Sequence, residues 1–444
     1  MTYPLSSPVV EGQATEANQY NYLRQDALYL GGDPAASGTV RDLLYSTYGD
    51  LPLSALGSNT ILLSASVDAP AAVMIGGVVL SVFNNITLSL NSDDLPSAGR
   101  YTIYAVASSG GAFVLALSGS GSYRAIGSFC WDGSGIIPGT VHNLRDLSLS
   151  ALVNSPAAAA GRLTLVAGNP VPDADITMGD NLYFVPYKGN RIGLYLYGAW
   201  EYFDFSGISI GKSGLTAGIP YDVFLSADSD GLRLSVSAWI TTGSRAVGTL
   251  AWVDGVRVSG SDYSKRYLGS FVINESGYYE DSSDARLLWN ENNRLARPIL
   301  SLLITSKTRG ASHENVWAPY YDEDAPFVRL LVPVSDCEFE LTGVGLNSSI
   351  SESDRGNSRS AALGILRDPM TESPFTGNKS CVPVFTHTVG NTPMTCEAEN
   401  LGSEFQGVHD YYLGFWSNYI FYPIGTSLSG ASGECPGLFG QIYG

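Results

Sequence analysis

Near the middle of the chain, Gly207-Ile208-Ser209-Ile210-Gly211 satisfies the Gly-x-Ser-x-Gly pattern, which in α/β-hydrolases lifts a nucleophilic serine onto a strained strand-to-helix turn. No helical pattern follows it. The related stretch Ile86-Thr87-Leu88-Ser89-Leu90 lacks both glycines and alternates as a strand, so Ser209 is read as a strand residue too. The overlapping Gly207 to Ser213 imitates a phosphate-binding loop, but three residues separate Gly207 from Gly211-Lys212-Ser213 where the motif needs four.

Asp228-Ser229-Asp230-Gly231 has the oxygens of a calcium loop, yet it falls where Ser108-Ser109-Gly110-Gly111 falls earlier in the chain, and reads as a hairpin turn. Asp322-Glu323-Asp324 and Asp173, Asp175 and Asp180 read as solvated loops. The histidines His142, His313, His387 and His409 are far apart, with no motif around them for acid–base work. A carboxylate pair that cleaves glycosidic bonds would leave no local signature. A polysaccharide-cleaving spike, however, would need a long parallel β-helix with coil-by-coil repeats, and the one repeat here is domain-sized. The expectation is a non-enzymatic protein without metal or cofactor.

Cys337, Cys381, Cys396 and Cys435 cluster late in the chain, with Cys130 alone before them. No Cys-x-x-Cys or His-x-x-x-His spacing supports zinc. The cluster is compatible with one or two disulfides formed outside the cell or with buried thiols, and spacing does not give connectivity.

The elements that would position these residues are mostly strands. Within Gln13 to Leu30, Tyr20, Leu23, Ala27 and Leu30 recur at 3-4-3 spacing, which predicts a short helix ended by Gly31-Gly32-Asp33-Pro34. Its seam suits either packing on a β domain or a coiled-coil-like contact between identical chains. From Leu51 onward, short alternating stretches such as Thr102 to Val106 and Phe113 to Leu117 are divided by Ser-Gly turns.

The strand pattern is written twice. Ala98-Gly99-Arg100-Tyr101, Phe113 to Leu117 and Arg124-Ala125-Ile126-Gly127-Ser128-Phe129 are matched in order by Ala217-Gly218-Ile219-Pro220-Tyr221, Leu232 to Val236 and Arg266-Tyr267-Leu268-Gly269-Ser270-Phe271. The fold expected is all-β: an N-terminal attachment segment over 1–50, a first β domain over 51–152 and a related second one over 173–280. A connecting segment over 281–298 and a C-terminal β-sandwich or jelly-roll-like domain over 299–444 follow. The Ala-Pro-rich stretch between Val153 and Pro172 reads as the link between copies.

With 444 residues, one small domain is excluded. Charged residues at 15% are scarce, while 50 Gly and 26 Tyr suit strands and tight turns. A net charge of −18 would repel a phosphate backbone, which argues against a nucleic-acid partner. The apolar stretch Ala69 to Phe83 is shorter than the roughly 20 residues of a membrane helix, and no basic leader precedes it, so a soluble chain made in the cytoplasm is expected.

At Tyr187-Lys188-Gly189-Asn190-Arg191-Ile192, Arg266 to Phe271 and Leu288-Trp289-Asn290-Glu291-Asn292-Asn293-Arg294, the chain resembles a group of bacteriophage virion structural proteins of the tail-fibre or head-appendage type. In that group an Arg-x-x-Gly-Thr/Ser-Phe strand leads into a Trp-Asn-x-x-Asn-Arg segment and a C-terminal β domain. The resemblance covers about Ile176 to Pro298, with looser likeness at His409 to Trp416 and Gly437 to Gly440. It implies a virion location, partnership with other virion proteins and commonly a homotrimer. Tyr20 to Asp26 resembles an attachment segment. The aromatics Trp317, Tyr320, Tyr321, Phe415, Trp416 and Tyr419 are of a type that stacks on host glycans, Trp416 and Tyr419 being the receptor-contact candidates. A capsid decoration or head-fibre protein and a glycan-degrading tailspike are the alternatives.

Overall fold

The computed structural model describes residues 51–75, 78–143, 159–302, 318–319, 327–347, 361–367, 392–401, 406–417 and 437–444. Among them every regular element except one three-residue turn of 3-10 helix is a β-strand. The helix expected around Tyr20, Leu23, Ala27 and Leu30 lies outside the described residues. The chain divides into two compact units. The first holds the described residues up to 143 together with Tyr195–Tyr202 and Ala227–Gly231; the second holds the remainder.

The first copy of the repeat comprises β1 (Leu53–Ala55), β2 (Thr60–Leu63), β3 (Ala71–Ile75), β4 (Val78–Val82), β5 (Ile86–Ser89), β6 (Gly99–Ala107), β7 (Phe113–Ala116), β8 (Tyr123–Trp131) and β9 (His142–Asn143). They form three antiparallel sheets, ordered β1-β2-β5, β3-β4 and β7-β6-β8-β9. Strand alternation turns Ile61 and Leu63, then Ala71, Val73 and Ile75, then Phe113 and Leu115 into one common core. This core makes the sheets a sandwich, with each fully buried large apolar side chain contributing about 1.5–3 kcal/mol.

The second copy comprises β10 (Gly161–Thr164), β11 (Ile176–Gly179), β12 (Asn181–Pro186), β13 (Arg191–Leu196), β14 (Ala199–Asp204), β15 (Ile208–Gly211), β16 (Pro220–Asp228) and β17 (Gly231–Ala238). It continues with β18 (Leu250–Val253), β19 (Val256–Ser259), β20 (Arg266–Val272), β21 (Tyr279–Asp281), β22 (Ala285–Arg286) and β23 (Leu288–Asn290). Its pairings repeat the first copy's: β10-β12-β15 for β1-β2-β5, β13-β14 for β3-β4, and β17-β16-β20-β23 for β7-β6-β8-β9.

The repeat extends to single residues. Tyr101 faces Phe129 across β6 and β8 with rings stacked at 5.8 Å, and Tyr221 faces Phe271 across β16 and β20 with rings stacked at 5.4 Å. Each ladder slips by one residue at the same place, beside Gly127 in one and Gly269 in the other. A Cβ on Gly127 would run into the His142 carbonyl and the Leu53 side chain. On Gly269 it would meet the carbonyl of Trp289 and the side chain of Leu163, the equivalent positions. Only glycine lets the bulged strand close on its neighbour.

One detail departs from the sequence reading. Gly161–Thr164, placed there in the inter-copy link, is the second copy's first strand and pairs with Tyr183 to Pro186. Its two apolar-poor ends and the Ala-Pro run before it conceal the strand signal. Ile208–Gly211 does form a strand as expected, with Ser209 opposite Tyr183.

The remaining strands are β24 (Ala296–Leu302), β25 (Ala318–Pro319), β26 (Phe327–Val332), β27 (Glu338–Asn347), β28 (Ala361–Arg367), β29 (Thr392–Leu401), β30 (Gly407–Ser417) and β31 (Gly437–Tyr443). One sheet runs β24-β31-β27-β29; another runs β11-β21-β22-β26-β30-β25, with β28 on β30. The β26–β30 pair is locked by Arg329, whose Nε and Nη2 meet Asp410 at 2.7 and 2.9 Å. Their buried faces join Phe224, Tyr267 and Trp289 of the second copy in one continuous core with Val328, Phe339, Leu413 and Ile442.

Candidate functional site

The residues that carry the Trp-Asn-x-x-Asn-Arg pattern form a clasp inside the second unit. Strand β23 sets Trp289 and Asn290 opposite Ser270 and Gly269. Asn290 is buried, accepts the Leu163 N–H at 2.7 Å and donates to the Leu163 carbonyl at 3.3 Å, so its amide continues the sheet onto β10. Asn293 takes a left-handed backbone (φ 58°), which asparagine tolerates, and donates to the carbonyls of Ala159 and Gly161 at 2.7 and 2.9 Å. Trp289 donates its indole N–H to the Tyr443 carbonyl at 3.0 Å, and the Arg294 guanidinium lies over the Trp289 ring at 4.5 Å.

Glu291 and Asp336 face each other across two arginines. Arg257 Nη1 donates to both Glu291 oxygens at 2.8 and 2.7 Å, its Nη2 to Asp336 at 2.7 Å, and Arg294 Nη2 to Asp336 at 2.9 Å. Burial pushes the Glu291 carboxyl up, against the pull of Arg257. Burial also acts to raise Asp336, but its bonds to Arg257 and Arg294 outweigh that and hold it low. Two carboxyls displaced in opposite directions have the electrostatics of an acid and a base. Both oxygens of Glu291 are already acceptors, however, so a proton there would face the Arg257 donor. The pair is a brace.

Arg257 also supports Trp252. The two are cross-strand partners in the β18–β19 hairpin, closed by Asp254 and Gly255 in left-handed conformations (φ 48° and 79°), and the Arg257 guanidinium sits 4.5 Å from the Trp252 ring centre. Trp252 is 62% exposed, with Val247, Ile240 and Tyr263 also exposed on residues 239–265. This insertion has no equivalent in the first copy, where residues 117–122 alone join β7 to β8. Among the described residues Trp252 thus offers an exposed aromatic ring backed by Arg257.

Two further polar clusters are internal. Asp222 is fully buried; Arg245 grips it at 2.7 and 2.8 Å, Trp239 and Ser270 donate to it at 3.0 and 2.7 Å, and the Arg245 guanidinium stacks 3.9 Å from Trp239. Tyr267, 2.7 Å from Ser270, has its phenol pushed far up by complete burial and then by the Asp222 charge, which keeps it protonated. In the first unit, buried Glu201 binds Arg100 and His142, the latter through Nε2 at 2.7 Å.

Ser128, His142 and Glu201 have the residue types of a nucleophile–base–acid relay, but the buried Ser128 hydroxyl makes no hydrogen bond there. Nearby Cys130 is a free buried thiol pushed up to about 12, chiefly by burial, so it is a poor nucleophile.

Of the residues singled out from sequence, Cys337 and Cys396 are buried in the shared core. Cys396 stands opposite Gly343, six places along β27 from Cys337, which puts these two about 20 Å apart and excludes a mutual disulfide. Cys381, Cys435, Tyr419, Trp317, Tyr320 and Tyr321 lie outside the described residues. Trp416 is placed in β30 opposite Ala362, and Phe415 opposite Leu363. Asp228 to Gly231 is the β16–β17 turn, as its alignment with Ser108 to Gly111 predicts. The sequence reading passed over Trp252; the signal that marks it is the excess length between Val236 and Arg266 when the two copies are aligned. No group of metal-ligating side chains occurs among the described residues. No helix among them is long and apolar enough to cross a membrane.

No protein-family model matches the chain, and no curated protein matches it. Among solved structures, the stem and receptor-binding domain of the spike protein P1 from bacteriophage PM2 overlaps 61% of this chain and 99% of its own, at 9% identity and a TM-score of 0.16. The insecticidal delta-endotoxin Cry8Ea1 from Bacillus thuringiensis overlaps 60% of this chain and 52% of its own, at 10% identity and a TM-score of 0.10. Overlaps this loose carry no argument.

Proposed function

We propose that this chain is a non-enzymatic structural component of a tailed bacteriophage virion, of the tail-fibre or spike type. Residues 1–50 dock it on the particle, the duplicated sandwiches act as a spacer, and the C-terminal region with the Trp252 hairpin faces outward for host-surface contact. The observation that carries this reading is the clasp: Trp289, Asn290, Asn293 and Arg294, the residues on which the resemblance to virion proteins rests, all serve as joints between strands. The buried carboxylates Glu201 and Asp222 and the partly buried Asp281 are likewise engaged by arginine. A trimer of such units and a glycan as the outer partner complete the proposal.

The test is made on the particle with the full chain, because the C-terminal strands share a core with the second copy and do not separate cleanly from it. Removing residues 1–50 is expected to leave a soluble, folded product absent from assembled particles. Antibody labelling of the tail supports the fibre reading; labelling confined to the head replaces it with capsid decoration. Release of reducing sugar from host polysaccharide by the purified chain would overturn the non-enzymatic part.

A further inference from the structure

Residues 239–265, the stretch that the second copy has and the first lacks, join β17 to β20 and reach in two directions. Toward the sandwich they hold Asp222: Arg245 binds its two oxygens at 2.7 and 2.8 Å, and Trp239 donates to it at 3.0 Å. Away from it, the same guanidinium donates through Nη1 to the Pro333 carbonyl and, at 3.0 Å, to Gln406 Oε1. Pro333 follows β26 and Gln406 precedes β30, so Arg245 grips the end of that ladder where Val332 faces Gly407. The turn closed by Thr241 and Ser244 adds a backbone bond, the Thr242 carbonyl accepting the Val408 N–H at 3.0 Å. The fit is close: a Cβ on Gly407, whose φ is +143°, would stand 3.0 Å from both Gly243 Cα and the Thr242 carbonyl oxygen.

The later half of the insert repeats the arrangement. Arg257 spans Glu291, next to β23, and Asp336, beyond the end of β26, at 2.7 Å each, while Leu250 packs against the core that holds Val328, Phe339 and Leu413. The duplication supplies the control. Asp222 stands opposite Ser270, and its counterpart Thr102 opposite Ser128. Where the insert is missing, the carboxylate is missing too. A buried aspartate is costly without a cation to meet it, so Asp222 and Arg245 belong together as socket and plug.

We infer that residues 239–265 are an adaptor, an interaction surface by which the second copy receives the C-terminal strands β26 and β30, with Asp222 and Arg245 as its pin. The adaptor recognises strand ends: the Pro333 carbonyl, the Val408 N–H and the Asp336 carboxylate are its contacts. The first copy has neither plug nor socket, so the C-terminal strands have one place to dock on two otherwise matching sandwiches. This role stands independently of any function in a virion.

The experiment is amide hydrogen exchange on the full chain, comparing wild type with two variants. One carries Asp222→Thr with Arg245→Met, which removes the pin and leaves the insert; the other carries Asp222→Thr and has residues 239–265 replaced by the first copy's Leu117 to Ser122 corner. In both, exchange in β26 and β30 is expected to speed up about tenfold or more, while β12 and β15 keep their protection. Unchanged exchange in β26 and β30, or an equal rise in β12 and β15, would overturn the adaptor. If neither variant folds, wild type in graded urea decides: residues 240–246 and 407–411 losing protection at one urea concentration supports it, and separate openings refute it.

Discussion

Asn290 holds Leu163 by both ends of its side-chain amide, accepting the backbone N–H at 2.7 Å and donating to the carbonyl at 3.3 Å. One side chain thus does for β10 what a neighbouring strand would do. Asn290→Ala strands both backbone groups in a buried setting and is expected to cost about 2–4 kcal/mol. Asn290→Asp keeps an acceptor but removes the donor and buries a charge, so it should cost at least as much. Urea titration followed by tryptophan fluorescence measures both, and a loss below about 1 kcal/mol for either would contradict the role.

The bulge glycines give a matched pair. Gly269→Ala and Gly127→Ala each drive a methyl group into a neighbouring carbonyl, and Gly269 in addition sits at φ 153°. Each should cost about 3 kcal/mol or more, or yield insoluble protein. Gly218→Ala, with φ +77° and open space around the site, should cost only about 1–2 kcal/mol. Similar losses at Gly218 and Gly269 would mean that backbone conformation, and not contact with the next strand, is what glycine supplies.

Asp222→Ala leaves Arg245 as an uncompensated charge in the interior and takes the acceptor from Trp239 and Ser270. The expected loss is about 3–5 kcal/mol. The double variant Asp222→Ala with Arg245→Met should recover part of it, which a double-mutant cycle would read directly.

Acid sensitivity of the first unit is expected to pass through Asp132. Partial burial alone would raise this carboxyl, but it accepts N–H bonds from Ser229, Ser134 and Gly135 and is held far below its ordinary 3.8. A depressed folded-state value means stability that is fully present above the unfolded value and lost as pH falls through the folded one. Hydrogen exchange of residues 131–136 should therefore speed up from about pH 4 downward in wild type. Asp132→Asn should flatten that slope while being less protected near pH 6.

Trp252→Ala should leave the melting temperature within about a degree, since the ring is largely exposed and Arg257 keeps its two carboxylates. On the outward-facing reading it should reduce binding of the full chain to host cells at least tenfold; unchanged binding would remove this hairpin from the contact surface.

Much of the sandwich was legible because its strands follow simple rules. Ala71-Ala72-Val73-Met74-Ile75 alternates buried and partly buried residues, and the paired Arg-x-x-Gly-Ser-Phe blocks gave away the duplication without any structure. Strand β20 was legible only through that repeated block, since it is buried along its whole length yet carries the polar Arg266 and Ser270. What stayed hidden was tertiary. Gly161-Arg162-Leu163-Thr164 has too few apolar residues to announce a strand; it is one because Tyr183 to Pro186 and the Asn290 amide supply its hydrogen bonds. The polar segment from Asp281 to Arg297 reads as a connecting segment, yet Arg297 and Asn290 reach the carbonyls of Pro172 and Leu163, more than a hundred residues earlier, a pattern no local window contains.

The second copy carries residues 239–265 where the first manages with residues 117–122, and the strands on either side keep the same pairing in both. The module has therefore already accepted a large graft at one of its corners without rearranging. The short corner at Leu117 to Ser122 is, by the same logic, a vacant mounting point: a foreign loop or epitope installed there should be displayed on an otherwise unaltered frame.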